Sequence, residues 1–164
     1  MLSNETATGK HPALVVKTMA EIVLTTEKSS YDDTDLPPFH KKGTEVDTAV
    51  VEASRLLAEE VDAKLILVAS LTGETGRLIS HLRPSLPIMV ATSTARVQRQ
   101  LNLSWGVDPF ILVPCSSIEE LVERSLQHIR ENKLAKPGDK MVVVAGEPVG
   151  QAGNVNLVEV REIK

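Results

Sequence analysis

One stretch, Leu65–Pro84 (LILVASLTGETGRLISHLRP), constrains the fold more than any other part of the chain. It begins with a short apolar run, passes through small hydroxyl and glycine residues, and continues with apolar residues at helical spacing. This order predicts a buried strand, a tight loop and a helix that starts directly after the loop. A strand followed by a helix is the repeating unit of a parallel α/β sheet.

The loop of this stretch has two interpretations. Ser70, Thr72 and Thr75 place hydroxyl groups around Gly73, at the point where the helix begins. The start of a helix carries unpaired N–H groups and partial positive charge, which suit a phosphate. The same residues are also typical of an ordinary turn in which Thr72 or Thr75 caps the helix. Because no lysine adjoins the loop and no complete phosphate-loop motif is present, the stretch alone favours the capped turn.

Composition limits the class of protein. The 164 residues fit one ordinary domain with a short extra segment. Four aromatic residues leave the core to aliphatic side chains and provide no platform for stacking bases, and the net charge of -4 disfavours nucleic acid as a partner. No apolar run is long enough for a membrane span, and no signal peptide is apparent, so no membrane partner is expected. The single cysteine excludes an internal disulfide and fits a cytoplasmic location.

The remaining elements follow from apolar periodicity and turn residues. Helices are predicted from Pro12 to about Lys28, from Thr44 through Val61, over Thr92–Gln100 with Ser93 or Thr94 as its cap, and after a capping box of Ser116 and Ser117 with Glu119 and Glu120. Further strands are predicted at Pro87–Ala91, Phe110–Val113, Met141–Ala145 and Asn156–Ile163. The last strand follows a hairpin-length loop and is therefore expected to be antiparallel. The predicted fold is α/β: a three-layer, mostly parallel five-stranded sheet with helices on both faces and a last antiparallel edge strand.

The pattern also predicts a domain boundary. Residues 29–43 (SSYDDTDLPPFHKKG) are charged, contain two adjacent prolines and lack periodicity, which is typical of a linker. This divides the chain into a first segment, 1–28, the linker, 29–43, and the α/β domain, 44–164. The helix of the first segment has apolar residues on more than one stripe, so we expect it to need cover from neighbouring elements.

A second loop is expected to lie beside the first. Ligands of mostly parallel sheets bind beyond the carboxyl ends of the strands. The loops over Ser70–Thr75 and Gly146–Gly153 both follow predicted strands, so both lie at that end of the sheet. This placement favours a shared pocket for an anion.

Other candidate residues carry weaker signals. Cys115 precedes a helix start, where a thiolate would be stabilised, but no histidine lies near it in sequence to act as a base, so a packed structural cysteine is favoured. Arg96 and Arg99 offer cations for a phosphate or carboxylate, although such residues more often lie on a solvated face or an interface. No histidine and carboxylate pair has metal-ligand spacing, so no metal site is expected.

Several independent motifs resemble pyruvate kinase. Met1–Pro12 (MLSNETATGKHP) is similar to the segment that ends the last strand of that family's catalytic barrel, usually MLSGETA followed by GKYP, with Asn4 in place of the glycine and His11 in place of the tyrosine. The similarity continues over Val16–Ile22, Ala63–Thr92, Arg99–Val107, Lys136–Gly146 and Pro148–Val160. The chain thus resembles the C-terminal part of pyruvate kinase, namely the end of the barrel and the C-terminal α/β domain.

The resemblance implies a role within a larger enzyme. The family transfers a phosphoryl group from phosphoenolpyruvate to ADP in glycolysis, using magnesium and potassium. Its catalytic lysine, metal-binding carboxylates and substrate arginine lie upstream of the segment that this chain resembles. The resemblance therefore implies no catalytic residue, metal ligand or cofactor within this chain, and a chain that is inactive alone. It implies the rest of the pyruvate kinase chain and a homo-oligomer, a tetramer in the family, as partners.

The resemblance also implies an effector site. Many members bind a sugar phosphate through a T-x-S-G-x-[ST] loop. The residues that match this loop and the loop opposite it are Ser70, Thr72, Gly73, Glu74, Thr75, Pro148, Val149, Gly150, Gln151, Ala152 and Gly153. Leu71 replaces a lysine that effector-sensitive members often carry, and Glu74 replaces a residue that is often arginine, which disfavours fructose bisphosphate. The implied function is a regulatory and oligomerisation domain of pyruvate kinase; the alternative is a free-standing module that binds a phosphorylated metabolite.

Overall fold

The structure is a computed structural model that describes residues 1–30 and 45–164. The chain divides into two compact units, and the division falls between these two ranges. The predicted linker, apart from its first two residues, and the predicted helix start at Thr44 lie outside the described residues. Within the described ranges, no helix combines the length and the apolar character needed to cross a membrane.

In residues 1–30, the first unit contains a short helix, α1 (Asn4–Ala7), and a longer one, α2 (Pro12–Glu27). Pro12 occupies the first helical turn of α2, where its missing N–H costs nothing. None of the residues of α2 is buried, and Leu14, Ile22 and Leu24 are each more than half exposed. The helix predicted from Pro12 is therefore confirmed to within one residue, and its apolar surface is open.

Between residues 45 and 164, the second unit contains a five-stranded sheet and four helices. The strands are β1 (Leu65–Ala69), β2 (Ile88–Thr92), β3 (Val107–Ile111), β4 (Lys140–Ala145) and β5 (Leu157–Glu162). The helices are α3 (Val46–Glu60), α4 (Glu74–His81), α5 (Ala95–Leu101) and α6 (Ile118–Glu131). The strand order is β3-β2-β1-β4-β5, with all pairs parallel except the antiparallel pair of β4 and β5. The predicted fold class is confirmed.

Both faces of the sheet are covered, which explains the continuous apolar runs of its central strands. Alternate residues of these strands point to opposite faces. One face, including Leu67, Met89 and Val143, packs against α6. The other, including Val68, Val90 and Val144, packs against α3, α4 and α5. The result is the predicted three-layer arrangement.

The start of α6 shows how local sequence fixes an element. Ser117 accepts the backbone N–H of Glu120 at 3.2 Å, as an N-cap residue does. The Glu120 carboxylate reaches back and accepts the backbone N–H of Ser116 at 2.8 Å. The predicted capping box is therefore present, one residue wider than the standard form. Glu119 takes no part in the capping box; instead, its Oε1 lies 3.7 Å from Nη2 of Arg161.

Two predicted boundaries are wrong. The third strand is Val107–Ile111, not Phe110–Val113. Since β3 is an edge strand, it tolerates Pro109 within it. The helix predicted over Thr92–Gln100 begins at Ala95 and is capped by Thr94, whose Oγ1 accepts the Val97 N–H at 3.4 Å. Thr92 is the last residue of β2, where it pairs with Ile111.

Candidate ligand-binding site

The order of the strands creates a crevice at one end of the sheet. From β1 the chain moves outward to β2 and β3, then returns across the opposite face through α6 to β4, on the other side of β1. The loops that leave β1 and β4 therefore begin at adjacent strand ends. In an open α/β sheet, this is the position where ligands bind.

A cavity of about 110 Å³ occupies this end of the sheet. It is lined by residues that follow or end each of the four parallel strands, from Ser70 after β1 to the loop after β4. The predicted site residues that line it are Ser70, Thr72, Glu74, Thr75, Val149, Gly150, Gln151, Ala152 and Gly153. Gly73 and Pro148 are not among the lining residues. The structure thus brings the two predicted loops together around one cavity.

The first loop uses two of its hydroxyl groups internally. Ser70 Oγ accepts the Gly73 N–H at 3.0 Å, and Thr72 Oγ1 accepts the Glu74 N–H at 3.3 Å. Gly73 lies in the left-handed region, at φ 79°, which a residue with a side chain adopts at a cost. Thr75 is buried inside the first turn of α4 and caps nothing. The N-cap of α4 is Gly73, without a side-chain cap hydrogen bond, so the prediction that Thr72 or Thr75 caps the helix is wrong. Thr72 instead closes a short turn onto the Glu74 N–H, and Thr75 faces the cavity from the helix start.

The second loop is held at its base by two asparagines. Asn154 Nδ2 and Asn156 Nδ2 both donate to the Glu147 carbonyl, at 2.8 and 2.9 Å, and Asn156 Oδ1 accepts the Glu147 N–H at 2.9 Å. Gly146 lies against this clamp so closely that an added Cβ would be 1.5 Å from the Asn154 carbonyl oxygen. Only glycine fits there.

The charge around the cavity is unusual for a phosphate site. Among the described lining residues, the charged ones are Asp47 and Glu74, and none is a lysine, arginine or histidine. Glu74 lies in the first turn of α4, where a carboxylate is stabilised by the helix dipole. An anion in this cavity would thus be held by N–H and hydroxyl donors, with the partial positive charge of the helix start as its electrostatic support.

Sequence reasoning missed several lining residues, of which Thr92 is the most informative. Thr92 is 2% exposed, and its Oγ1 has no hydrogen-bond partner among the described residues. Ser93 and the segment after β3, from Leu112 to Cys115, also line the cavity. The signal available in the sequence was a hydroxyl residue at the carboxyl end of a buried strand. Because the predicted strand ends at Ala91, Thr92 was assigned to the following helix instead.

Cys115 lines the cavity but is not activated. Its Sγ donates to the Val113 carbonyl at 3.3 Å. Burial raises the pKa of the Cys115 thiol; Arg124 opposes this shift and Glu120 adds to it. The direction of this shift favours the neutral thiol, in agreement with the interpretation of Cys115 as a packed structural cysteine. The other candidate cations, Arg96 and Arg99, are exposed on α5 and do not line the cavity.

The described residues do not offer a magnesium site. In the ranges 1–30 and 45–164, no group of three or more histidine, cysteine, aspartate or glutamate side chains is arranged to hold a metal ion. Among the described residues that line the cavity, two carry a carboxylate side chain, Asp47 and Glu74. The hydroxyl and amide groups that line the cavity can form hydrogen bonds with a small molecule.

Comparison with known proteins gives consistent matches over the whole chain. Residues 48–161 match the family model described as "Pyruvate kinase, alpha/beta domain". The chain is 34% identical over 164 residues to a pyruvate kinase of Sporosarcina psychrophila, covering 99% of this chain and 28% of that protein. It is 32% identical over 163 residues to a pyruvate kinase of Mycobacterium tuberculosis strain H37Rv, covering 99% of this chain and 34% of that protein.

Comparison with solved structures also gives matches to pyruvate kinases. A crystal structure of a pyruvate kinase from Cryptosporidium parvum superposes with a TM-score of 0.82 and 28% sequence identity, covering 100% of this chain and 32% of that chain. This chain therefore spans about a third of the length of the curated and structural relatives that it matches.

Proposed function

Because this chain belongs to the pyruvate kinase family, as its C-terminal α/β domain, we propose that it is the effector-binding and oligomerisation domain of a cytoplasmic pyruvate kinase. The parent protein would transfer the phosphoryl group of phosphoenolpyruvate to ADP in glycolysis. The magnesium and potassium ions of that reaction would be held outside this chain. The rest of the enzyme and further copies of it are the proposed partners.

The convergence of the two loops on one cavity carries the proposal. The effector is a phosphorylated small molecule, and its phosphate lies at the start of α4. There it accepts hydrogen bonds from first-turn N–H groups and from the hydroxyl of Thr75. Gly150 and Gly153, both at positive φ, let the second loop bring its backbone close to the ligand.

Calorimetric titration with inorganic phosphate and with glucose 6-phosphate tests this proposal. Thr75→Val keeps the side-chain shape and removes the hydroxyl, so the affinity for both probes should fall by about tenfold, the equivalent of one hydrogen bond to a charged group. Thr94→Ala is the control, because it removes an exposed cap hydroxyl on α5 that does not line the cavity. If the unaltered chain binds neither probe, the proposal of effector binding is refuted.

The proposed inactivity of the isolated chain has its own test. Ser3, Glu5 and Thr6 match the barrel segment beside the family's active site, but phosphoryl transfer needs metal ions and cationic groups held together. The purified chain should give no turnover in an assay that couples pyruvate formation to lactate dehydrogenase, with magnesium and potassium present. A complete pyruvate kinase serves as the positive control, and turnover by this chain alone would overturn the proposal.

The exposed surface of α2 supports the rest of the pyruvate kinase chain as a partner of this chain. Leu14, Ile22 and Leu24 expose apolar surface on more than one side of the helix, and such surface is typical of an element that another part of the protein covers. We assign this cover to the rest of the pyruvate kinase chain. Light scattering on the complete parent protein should give a homo-oligomer, and a monomer at micromolar concentration would contradict the assembly role.

A further inference from the structure

Thr92 lies at the cavity but belongs to neither of the loops that form the proposed effector site. We propose that the Thr92 hydroxyl is a third contact to the effector, made with the part of the molecule that is not phosphate. This inference rests on the proposed function, because it requires an effector in this cavity.

The burial of the hydroxyl is the first support. Thr92 is 2% exposed, and its carbonyl accepts the Leu112 N–H at 2.9 Å, so the backbone is engaged in the sheet. Its Oγ1 alone has no hydrogen-bond partner within the described part of the chain. A buried hydroxyl without a partner destabilises a folded protein, and native structures contain few of them. A group at a ligand cavity that lacks a protein partner is suited to a partner supplied by the ligand.

Position in the strand is the second support. Alternation along β2 places Thr92 on the face of Ile88 and Val90, which is the layer that contains α4. The start of α4 is the proposed phosphate position. Thr92 therefore belongs to the same side of the sheet as the phosphate cradle, one strand further from the second loop.

Charge defines the chemical group that meets Thr92. The described lining residues include Asp47 and Glu74 and no cation, so a second anionic group beside the phosphate would be repelled. A threonine hydroxyl donates one hydrogen bond and accepts others, which matches a neutral hydroxyl or amide. The effector is accordingly a phosphate monoester whose body presents such a neutral group to the end of β2.

The chain provides a matched control for the unpaired hydroxyl. Ser125, on α6, is also completely buried, and its Oγ also lacks a hydrogen-bond partner among the described residues. Unlike Thr92, Ser125 does not line the cavity. Removal of either hydroxyl relieves the same kind of buried group, but only removal of the Thr92 hydroxyl should affect a ligand.

The test measures the dissociation constants of glucose 6-phosphate and inorganic phosphate, together with the melting temperature of the ligand-free chain. Thr92→Val should raise the dissociation constant of glucose 6-phosphate by about tenfold and change that of inorganic phosphate by less than about twofold. The reason is that only glucose 6-phosphate has hydroxyl groups beyond its phosphate. Thr92→Ser, which restores the hydroxyl, should bind glucose 6-phosphate within about threefold of the unaltered chain. Ser125→Ala should change neither constant. Neither Thr92→Val nor Ser125→Ala should lower the melting temperature.

The outcomes separate this inference from the proposed function. Should the unaltered chain bind glucose 6-phosphate and Thr92→Val bind it equally well, the hydroxyl is not a ligand contact and the inference is wrong, while effector binding stands. Should the unaltered chain bind neither probe, both proposals fail. If Thr92→Val does not unfold cooperatively, Thr92→Ala serves as the second hydroxyl-free variant, with the same expected selective loss of glucose 6-phosphate.

Discussion

At the scale of single residues, Gly146 constrains the conformation of the second loop. An added Cβ would lie 1.5 Å from the carbonyl oxygen of Asn154, and this oxygen belongs to the backbone, so it cannot rotate away. We expect Gly146→Ala to displace the loop and to lower the free energy of unfolding by about 3 kcal/mol, the upper range for overpacking. Urea titration measures this loss.

Gly153→Ala is the matched control for Gly146→Ala. Gly153 lies in the same loop at φ 76°, and nothing lies within 4 Å of an added Cβ. Its substitution should therefore cost only the left-handed backbone strain, about 1 kcal/mol. Equal losses for the two variants would show that the close approach of Gly146 to Asn154 is not what fixes the loop.

Cys115 should react slowly despite its place at the cavity. Burial raises the pKa of its thiol, so at neutral pH a smaller fraction is thiolate than in an unburied cysteine. Alkylation by iodoacetamide should be slower than that of glutathione at pH 7, and its rate should reach half-maximum at a higher pH than that of an exposed thiol. Faster reaction than glutathione would revive the interpretation of Cys115 as a nucleophile.

The limits of sequence reasoning are clear at the same scale. The hydroxyl residues after β1 were found because strand, loop and helix start adjoin along the chain. Thr92 was missed because its role depends on where β2 ends, and this is decided by pairing with β3. The prediction also misplaced β3, whose edge position, where a proline is tolerated, becomes apparent only in the assembled sheet.

At the scale of elements, the cap of α6 predicts a measurable contribution to stability. Ser117 accepts the Glu120 N–H at the helix start, so Ser117→Ala should lower the free energy of unfolding by about 1 kcal/mol. Thr94→Ala, which removes the corresponding but longer hydrogen bond of α5, should cost less. Urea titration of both variants at pH 7 tests this order, and a larger loss for Thr94→Ala would contradict it.

The same cap predicts a pH dependence. Hydrogen bonds from the backbone N–H and then the hydroxyl of Ser116 lower the pKa of Glu120 in the folded chain. A lowered pKa gives stability that is present above the pKa of a glutamate in the unfolded chain and is lost as the pH falls through the folded value. The stability difference between the unaltered chain and Glu120→Gln should therefore shrink as the pH falls from 7 into the acid range. A difference that stays constant or grows would contradict this assignment.

At the scale of the whole molecule, the continuous apolar runs of the central strands account for most of what sequence could predict. Runs such as Leu65–Ala69 are apolar on both faces, which requires helices above and below the sheet. The hairpin-length connection to the last strand predicted the antiparallel edge. The cavity itself was predictable only as a location, because its lining depends on loops from four strands that are far apart in sequence.

The division into two units predicts how the chain responds to shortening. Every residue of the two core clusters lies in 45–164, while α2 buries none of its residues. The chain shortened to residues 44–164 should therefore unfold cooperatively, with a melting temperature within about 4 °C of the whole chain. It should also self-associate less, since the exposed apolar residues of α2 are removed.

A charge variant distinguishes the effect of the apolar surface of α2 on self-association from the effect of the helix being present. Ile22→Lys combined with Leu24→Lys keeps the full length and makes two exposed positions cationic. This variant should match the shortened chain in light scattering and the unaltered chain in melting temperature, because neither side chain belongs to a core cluster. If instead the shortened chain loses cooperative unfolding, or both variants melt well below the unaltered chain, then α2 is part of the folded core and the α/β domain does not fold independently.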